Sequence, residues 1–282
     1  MKVGLKIGPA TDPTVKDAAV RAEEMGFDSL WLSERVAIPL DKPHPYEAGT
    51  DPWIGLAFVA AVTTRVQLGT SVSQIALRPP VLMARELATL DRLSSGRLIV
   101  GAGAGWVEEE FTSAGVPFDT RGGRLNEFIL LLRHLWTKPE EPWNGKHFQV
   151  PAVGLVRPLT PGGPPIFVGA GASPGINRAA RHGDGFLSAG LPPDSLGKLR
   201  VRLDELRASF GRTGHFPLYS QVSAPVTAED ARDLVQRYGV VGVDSLIVAE
   251  GATISGVPFL EREGVARALL ESAHDMSGDE PG

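Results

Sequence analysis

The sequence contains no cysteine, which excludes disulfide bonds, thiolate metal sites and cysteine nucleophiles together. Its net charge is −5 and no basic stretch stands out, so nucleic acid is not an expected partner. No apolar run approaches the ~20 residues that a membrane-spanning helix needs, and the first residues lack the apolar segment of a signal peptide. These absences predict a cytoplasmic protein whose partners are neither nucleic acid nor membrane.

Apolar segments that suit buried parallel strands alternate with amphipathic helices along the 282 residues. Eight strands are predicted, at residues 3–7, 29–32, 66–70, 98–100, 166–168, 185–187, 218–223 and 245–248. Strict alternation of eight strands with eight helices predicts an α/β protein with a (β/α)8 TIM barrel fold. An open doubly wound sheet is the alternative. We assign the barrel to residues 1–276 as one domain and expect residues 277–282 to form a flexible tail.

The fourth strand and its helix form the most informative unit. The strand at 98–100 runs into three glycines that let the backbone turn sharply and a flat ligand come close: Gly101, Gly103 and Gly105. Trp106 then offers a planar apolar face. The glutamates at 108–110 are typical of a solvated helix start that the helix dipole favours. Asp119 or Thr120 is expected to cap the long helix that follows.

The segment 138–165 interrupts the alternation between this fourth helix and the fifth strand. It contains seven prolines and one candidate strand at 147–150. A segment of this length without a helix is usually a functional excursion. We therefore expect an insertion that forms a rim and partly covers the mouth of the barrel.

Chemistry in such a barrel gathers at the carboxyl ends of the strands. After the second strand, Glu34 could serve as an acid and Arg35 as an anion anchor, or the two could form a rim ion pair that only orders the loop. At the end of the third strand, the small and hydroxyl-bearing residues at 69–74 could donate hydrogen bonds to a ligand, or form an ordinary polar turn. After the fifth strand, the glycine-rich run before a helix favours a phosphate site over a plain turn: Gly169, Ala170, Gly171, Ala172 and Ser173.

The six histidines are scattered and none has a metal-ligand spacing, so no metal site is predicted. Only His44, in the long loop after the second strand, is a candidate proton donor.

Several of these segments occur together in one known family. The run Gly-Arg-Leu-Ile-Val-Gly-Ala-Gly-Ala-Gly-Trp-Val-Glu-Glu-Glu-Phe at 96–111, with Gly-Val-Pro-Phe at 115–118, closely resembles the bacterial luciferase-like flavin and deazaflavin oxidoreductases. The blocks at 78–91 and 166–185 match the family in the same order. The resemblance covers residues 3 to about 248, and the wording of the blocks is most similar to the coenzyme F-420 branch.

This resemblance implies a (β/α)8 barrel, often dimeric, that holds FMN or the deazaflavin coenzyme F-420 at the carboxyl ends of its strands. The cofactor phosphate would lie near the loop at 169–173, and the turn at Ser71-Val72 would contain a non-prolyl cis peptide that bulges toward the tricyclic ring. The implied cofactor-binding residues are Thr70, Ser71, Val72, Ser73, Gly103, Trp106, Val107, Gly169, Ala170, Gly171, Ala172 and Ser173.

The chain departs from the family pattern at two positions. Many relatives have Asp-His after the second strand where this chain has Glu34-Arg35, so the usual histidine proton donor is missing. The residue after the tryptophan is often asparagine and is Val107 here. Both differences indicate a cofactor held mainly by backbone contacts.

The resemblance implies an oxidoreductase that passes a hydride between coenzyme F-420 and an unidentified small organic substrate, with Glu34 and Arg35 as candidate catalytic residues. One alternative is an FMN-dependent monooxygenase that uses reduced flavin and oxygen. An alternative of another class is a barrel that binds a deazaflavin or small ligand without turnover. The family also implies a homodimer.

Overall fold

A computed structural model describes residues 1–7, 15–40, 51–249 and 259–276. The predicted start of the first helix, His44 and the predicted tail at 277–282 lie outside these ranges.

Eight parallel strands close into a barrel, as the sequence predicts. In chain order they are β1 (Lys2–Lys6), β2 (Ser29–Leu32), β3 (Gln67–Thr70), β4 (Leu98–Gly103), β7 (Ile166–Gly169), β8 (Gly185–Ala189), β9 (Leu218–Ser223) and β10 (Ser245–Ala249). Each strand pairs with the next one in this series, and β1 pairs with β10, Lys6 opposite Ala249, to complete the circle. The (β/α)8 barrel is therefore confirmed.

Nine α-helices are found in the described part of the chain. They are α1 (Val15–Met25), α2 (Pro52–Ala60), α3 (Pro80–Leu93), α4 (Glu108–Ser113), α5 (Arg121–Thr137), α6 (Ser173–His182), α7 (Pro193–Ser209), α8 (Ala228–Val240) and α9 (Glu263–Asp275). Thr227 caps α8 through a reciprocal capping box with Asp230. The expected side-chain cap of α5 is wrong, because a 3₁₀ turn at Phe118–Thr120 runs directly into that helix and the Thr120 hydroxyl bonds back to the Pro117 carbonyl instead.

The interior of the barrel is filled around the indole of Trp31. Its ring packs with one inward side chain from each of five other strands and donates from Nε1 to Ser29 Oγ at 2.8 Å. The neighbouring strands carry glycine where they face this ring. A Cβ on Gly4 would lie 2.7 Å from Trp31 Nε1, and one on Gly69 would lie 2.3 Å from the ring. The barrel therefore has a solid floor below its mouth.

The segment 138–165 packs against the outer helices of the barrel, and its predicted role as a partial cover of the mouth stays a prediction. It forms a two-stranded antiparallel sheet, β5 (Trp143–Asn144) with β6 (Gln149–Val150), on the outer side of α5. Glu127 of α5 accepts hydrogen bonds from the backbone N–H groups of His147 (2.8 Å) and Phe148 (2.9 Å). The segment packs there because Phe148 buries its ring edge-on against Phe128.

The later part of the segment returns to the amino end of the barrel. Thr160 donates from its backbone and its hydroxyl to the buried carboxylate of Asp91, at 2.7 and 2.8 Å. The segment 138–165 thus packs on the outside of α3 and α5 and connects the two helices. No helix in the described ranges has the length and apolarity that a membrane crossing requires.

Candidate functional site

A cavity of about 640 Å³ opens at the carboxyl ends of the strands. Its walls come from the loops after β2, β3, β4 and β7, from the end of β8 and from Gln221 of β9. Two cavities of similar volume lie at the amino end of the barrel. The cavity at the carboxyl ends is the candidate active site, because the loops that bring functional side chains together in such a barrel meet there.

The bottom of this cavity is a bulge after β3. The peptide bond between Ser71 and Val72 is cis, as the resemblance implies. The Val72 side chain lies in the centre of the mouth, between Gly103 of β4 and Gly169 of β7. A Cβ on either glycine would approach a Val72 methyl to 2.5 Å, so both positions have to be glycine for the bulge to lie flat.

Glu34 holds the backbone that follows this bulge. Its carboxylate is nearly fully buried and accepts hydrogen bonds from Ser73 Oγ (2.8 Å), the Gln74 N–H (2.6 Å) and Arg78 Nη2 (2.5 Å). Arg78 also pairs with Asp51 at 2.9 Å. Burial alone would lower the pKa of Arg78, but the two carboxylates outweigh it and raise that pKa, so the guanidinium stays charged.

A second buried carboxylate orders the loop after β2. Glu110 of α4 accepts hydrogen bonds from Arg35 Nη1 (3.0 Å), the Val36 N–H (2.8 Å) and Gln74 Nε2 (2.7 Å). Its side chain is fully buried, so the expected solvated helix start is wrong at this position. Burial is tolerated because one cation and two N–H donors satisfy the charge. The guanidinium of Arg35 lies 5.3 Å from the Trp106 ring centroid.

Glu34 and Arg35 therefore do not pair with each other. Each is matched by a partner from another loop, Arg78 for Glu34 and Glu110 for Arg35. Both line the cavity. Their catalytic roles stay predictions, and the three donors on Glu34 favour an orienting role for that carboxylate over proton transfer.

The opposite wall of the cavity is suited to an anion. The loop from Gly169 to Ala172 leads into the start of α6, where free N–H groups and the helix dipole attract negative charge. Arg178 of the same helix lines the cavity and is 7 % exposed. Its hydrogen bonds go to neutral acceptors, Asn126 Oδ1 (2.6 Å) and the Gly122 carbonyl (3.0 Å). Burial lowers its pKa, so an anion beside it would relieve the desolvation of the guanidinium.

Most of the residues predicted to contact the cofactor line this cavity. They are Ser71, Val72, Gly103, Trp106, Gly169, Ala170, Gly171 and Ala172. Four others lie outside the lining. Thr70 is buried below the bulge and exchanges hydrogen bonds with the Gly101 backbone. Ser73 turns toward Glu34, Val107 is buried at the start of α4, and Ser173 is exposed, with its hydroxyl accepting from Arg202.

Several lining residues were not predicted as site residues. They are Arg121, Arg178, Leu187, Ser188, Ala189 and Gln221. Position relative to a strand end identifies Ala189 and Gln221. Arg178 lies inside a helix, and only the position of α6 against α5 shows that it reaches the cavity.

The family model described as luciferase-like monooxygenase matches residues 8–277. The chain belongs to this family. A protein of Mycobacterium tuberculosis (strain ATCC 25618 / H37Rv) is 30 % identical over 244 residues, which are 82 % of this chain and 84 % of that one. An F420-dependent glucose-6-phosphate dehydrogenase of Amycolatopsis mediterranei is 38 % identical over 200 residues, 66 % of this chain and 57 % of the relative.

Solved structures share the fold of this luciferase-like protein at low identity. An F420-dependent secondary alcohol dehydrogenase in complex with an F420–acetone adduct superposes with a TM-score of 0.82 at 17 % identity, covering 96 % of this chain and 98 % of that one. The oxygenating constituent of 3,6-diketocamphane monooxygenase from Pseudomonas putida, in complex with FMN, superposes with a TM-score of 0.67 at 19 % identity. The match covers 85 % of this chain and 72 % of that one. The family is one of oxidoreductases, and these matches point to a deazaflavin or a flavin as the cofactor.

Proposed function

We propose that this protein is an oxidoreductase that transfers a hydride between coenzyme F-420 and a small organic substrate. The observation that carries the proposal is the combination of a flat bulge at Ser71–Val72 with an anion-binding wall at Gly169–Ala172 and Arg178. A tricyclic ring that carries a phosphate group fits both features. The choice of the deazaflavin over FMN rests on the relatives that are themselves F420-dependent dehydrogenases.

Bound coenzyme F-420 would supply a hydride carrier whose reduced form reacts poorly with oxygen. The chain would hold it through Val72 below the ring, through Arg178 and the N–H groups of 169–172 at the phosphate, and through Trp106 at the rim. Glu34 would keep the bulge in place by fixing Ser73 and Gln74. Positioning and exclusion of water are then the main contributions of the protein.

The test is a titration of purified protein with oxidised coenzyme F-420 and, in parallel, with FMN, followed by cofactor fluorescence. We expect saturable binding of F-420 and none of FMN. Arg178→Met should weaken binding, whereas Arg181→Met, an exposed arginine on the same helix, serves as the matched control. Binding of FMN alone would support the monooxygenase alternative, and F-420 binding with no turnover on a broad substrate panel would support the binding-only alternative.

The homodimer is proposed on the same family grounds. Helix α2 is apolar around its whole circumference, and it leaves Ile54 73 % and Phe58 49 % exposed. Such a surface is stabilised when a second copy covers it. Light scattering should give the mass of two chains, and Phe58→Asp should give the mass of one.

A further inference from the structure

A lysine that the proposed mechanism does not use lies on the inner side of the barrel at the mouth. Lys6 is the last residue of β1. Two residues earlier, a Cβ on Gly4 would point at Trp31 in the barrel interior. Because side chains along a strand alternate between its two faces, Lys6 shares the inward face with Gly4, while Leu5 is buried on the outer side. The Lys6 side chain therefore leaves the carboxyl end of β1 on the inner side of the barrel, beside the residues that line the cavity rather than among them.

The charge of this lysine lacks a counter-ion in the described part of the chain. The two guanidinium groups nearest to it each have one: Arg78 pairs with Glu34 and Asp51, and Arg35 pairs with Glu110. No described carboxylate forms an ion pair with Lys6. Burial lowers the pKa of Lys6, and the nearby guanidinium of Arg35 lowers it further.

A half-buried ammonium beside a guanidinium is costly, because desolvation and like-charge repulsion both act against the charged form. An anion placed between them would reduce both costs. The carboxylates of Glu34 and Glu110 cannot take that place, since each is already held by three donors. Asp119 also lines the cavity, but no ion pair joins it to Lys6 in the described part of the chain. A ligand that enters the mouth can therefore supply the negative charge.

We propose that Lys6 binds an oxyanion of the substrate, a carboxylate in the first instance, so that the enzyme acts on anionic rather than neutral organic molecules. This inference rests on the proposed function, because it names the substrate class for the same cavity. It separates two anion sites in one mouth: Arg178 and the loop at 169–172 for the cofactor, and Lys6 with Arg35 for the substrate.

The test uses the full chain with its lysines ¹³C-dimethylated, which keeps their charge, and follows each signal by NMR. The probes are benzoate, inorganic phosphate and, as the neutral match, benzamide. Lys6→Arg and Lys6→Met assign the Lys6 signal. Lys2→Met is the control variant, because Lys2 is on the same strand and the same face but at the opposite end of the barrel.

We expect the Lys6 signal to titrate below the ordinary range of a lysine. Benzoate should shift this signal saturably and raise its titration midpoint. Lys6→Met should weaken benzoate binding at least ~10-fold, as expected for a lost charge-assisted hydrogen bond. The affinity of Lys6→Arg for benzoate should stay within about threefold of the parent's. The affinity of Lys2→Met should equal the parent's. Benzamide should leave the Lys6 signal unmoved.

The inference is overturned if neither benzoate nor phosphate moves the Lys6 signal, or if Lys6→Met binds benzoate as tightly as the parent. A response to phosphate alone would also overturn the choice of a carboxylate. The measurement is made both without cofactor and with added coenzyme F-420. Failure of F-420 to bind would therefore count against the proposed function, while the response of Lys6 is read separately.

Discussion

The two sides of the mouth are built on opposite principles. On the side of β2, β3 and β4, every buried charge that the structure describes is matched, and two carboxylates use their hydrogen bonds to fix the protein's own backbone. On the side of β7 and β8, the loop is glycine and alanine, and the buried Arg178 has only neutral acceptors. The carboxylates of the first side fix the protein's own backbone, and the second side leaves a buried guanidinium without a carboxylate partner. Substitutions on the two sides should therefore change different measured quantities.

The largest effect is expected on the matched side. Glu34→Ala leaves Arg78, Ser73 and the Gln74 N–H without their acceptor, and we expect the free energy of unfolding to fall by about 3 kcal/mol. This is the low end for a broken buried pair, because the Arg78 side chain keeps 27 % exposure and its pairing with Asp51. Urea unfolding measures the change. Glu34→Gln keeps one acceptor oxygen, so its free energy of unfolding should fall by less. A fall below about 1 kcal/mol in Glu34→Ala would contradict the orienting role of Glu34.

On the ligand side the change should appear in affinity. Arg178→Met removes the buried cation, and we expect the Kd for coenzyme F-420 to rise by roughly 10- to 100-fold, about 1.5–3 kcal/mol. Its effect on unfolding should be smaller than that of Glu34→Ala. An unchanged Kd with a large loss of stability would mean that both sides of the mouth serve only the fold.

A smaller effect is expected from one methyl group at the boundary between the two sides. Gly169→Ala would bring a Cβ to 2.5 Å from Val72 and should cost about 1–2 kcal/mol of stability through overpacking, together with weaker cofactor binding. Gly171→Ala is the control in the same loop, since its Cβ would meet nothing within 4 Å. Equal behaviour of the two variants would show that the bulge is not held by the glycine.

The smallest effect is expected from a carboxylate that holds backbone away from the cavity. Burial alone would raise the pKa of Glu127, but donors from His147, Trp143 and Phe148 outweigh it and lower that pKa. Its contribution to stability is therefore present above the unfolded value of about 4.3 and is lost as the pH falls through the lower folded pKa. The Tm difference between the parent and Glu127→Gln should be present near neutral pH and disappear as the pH falls below the lowered folded pKa of Glu127. A pH-independent difference would assign the stabilisation to packing of the segment 138–165.

The sequence predicts the barrel well because strand formation here depends on local pattern. The runs at 29–32 and 218–223 coincide with β2 and β9, since a buried parallel strand is apolar on both faces. The prediction was wrong where burial depends on distant partners. The sequence around Glu110 predicts a solvated helix start. In the structure this carboxylate is buried, because Arg35 and Gln74 donate hydrogen bonds to it from positions 75 and 36 residues away along the chain.

The placement of the segment 138–165 and of several site residues also depends on residues that are distant in the sequence. Proline content indicates an irregular segment, but only the ring of Phe128 and the carboxylate of Asp91 decide which side of the barrel it covers. The cis peptide bond at Ser71 came from the family resemblance, not from residue pattern. Arg178 became visible as a cavity-lining residue only when helix packing was known, and the proposal for Lys6 needed the strand direction.

The indole of Trp31 has a consequence for how this barrel can change over generations. Gly4 and Gly69 are glycine because the ring occupies the space where their side chains would be. The three positions are therefore coupled, since an alanine at 4 or 69 is rejected while Trp31 is present. A smaller residue at 31 leaves a void that a side chain at 69 can fill, whereas a Cβ at 4 would still lie 2.4 Å from Ser29 Oγ. A library that randomises all three positions should return Trp31 with two glycines, or a smaller residue at 31 with a larger one beside it, and few combinations between.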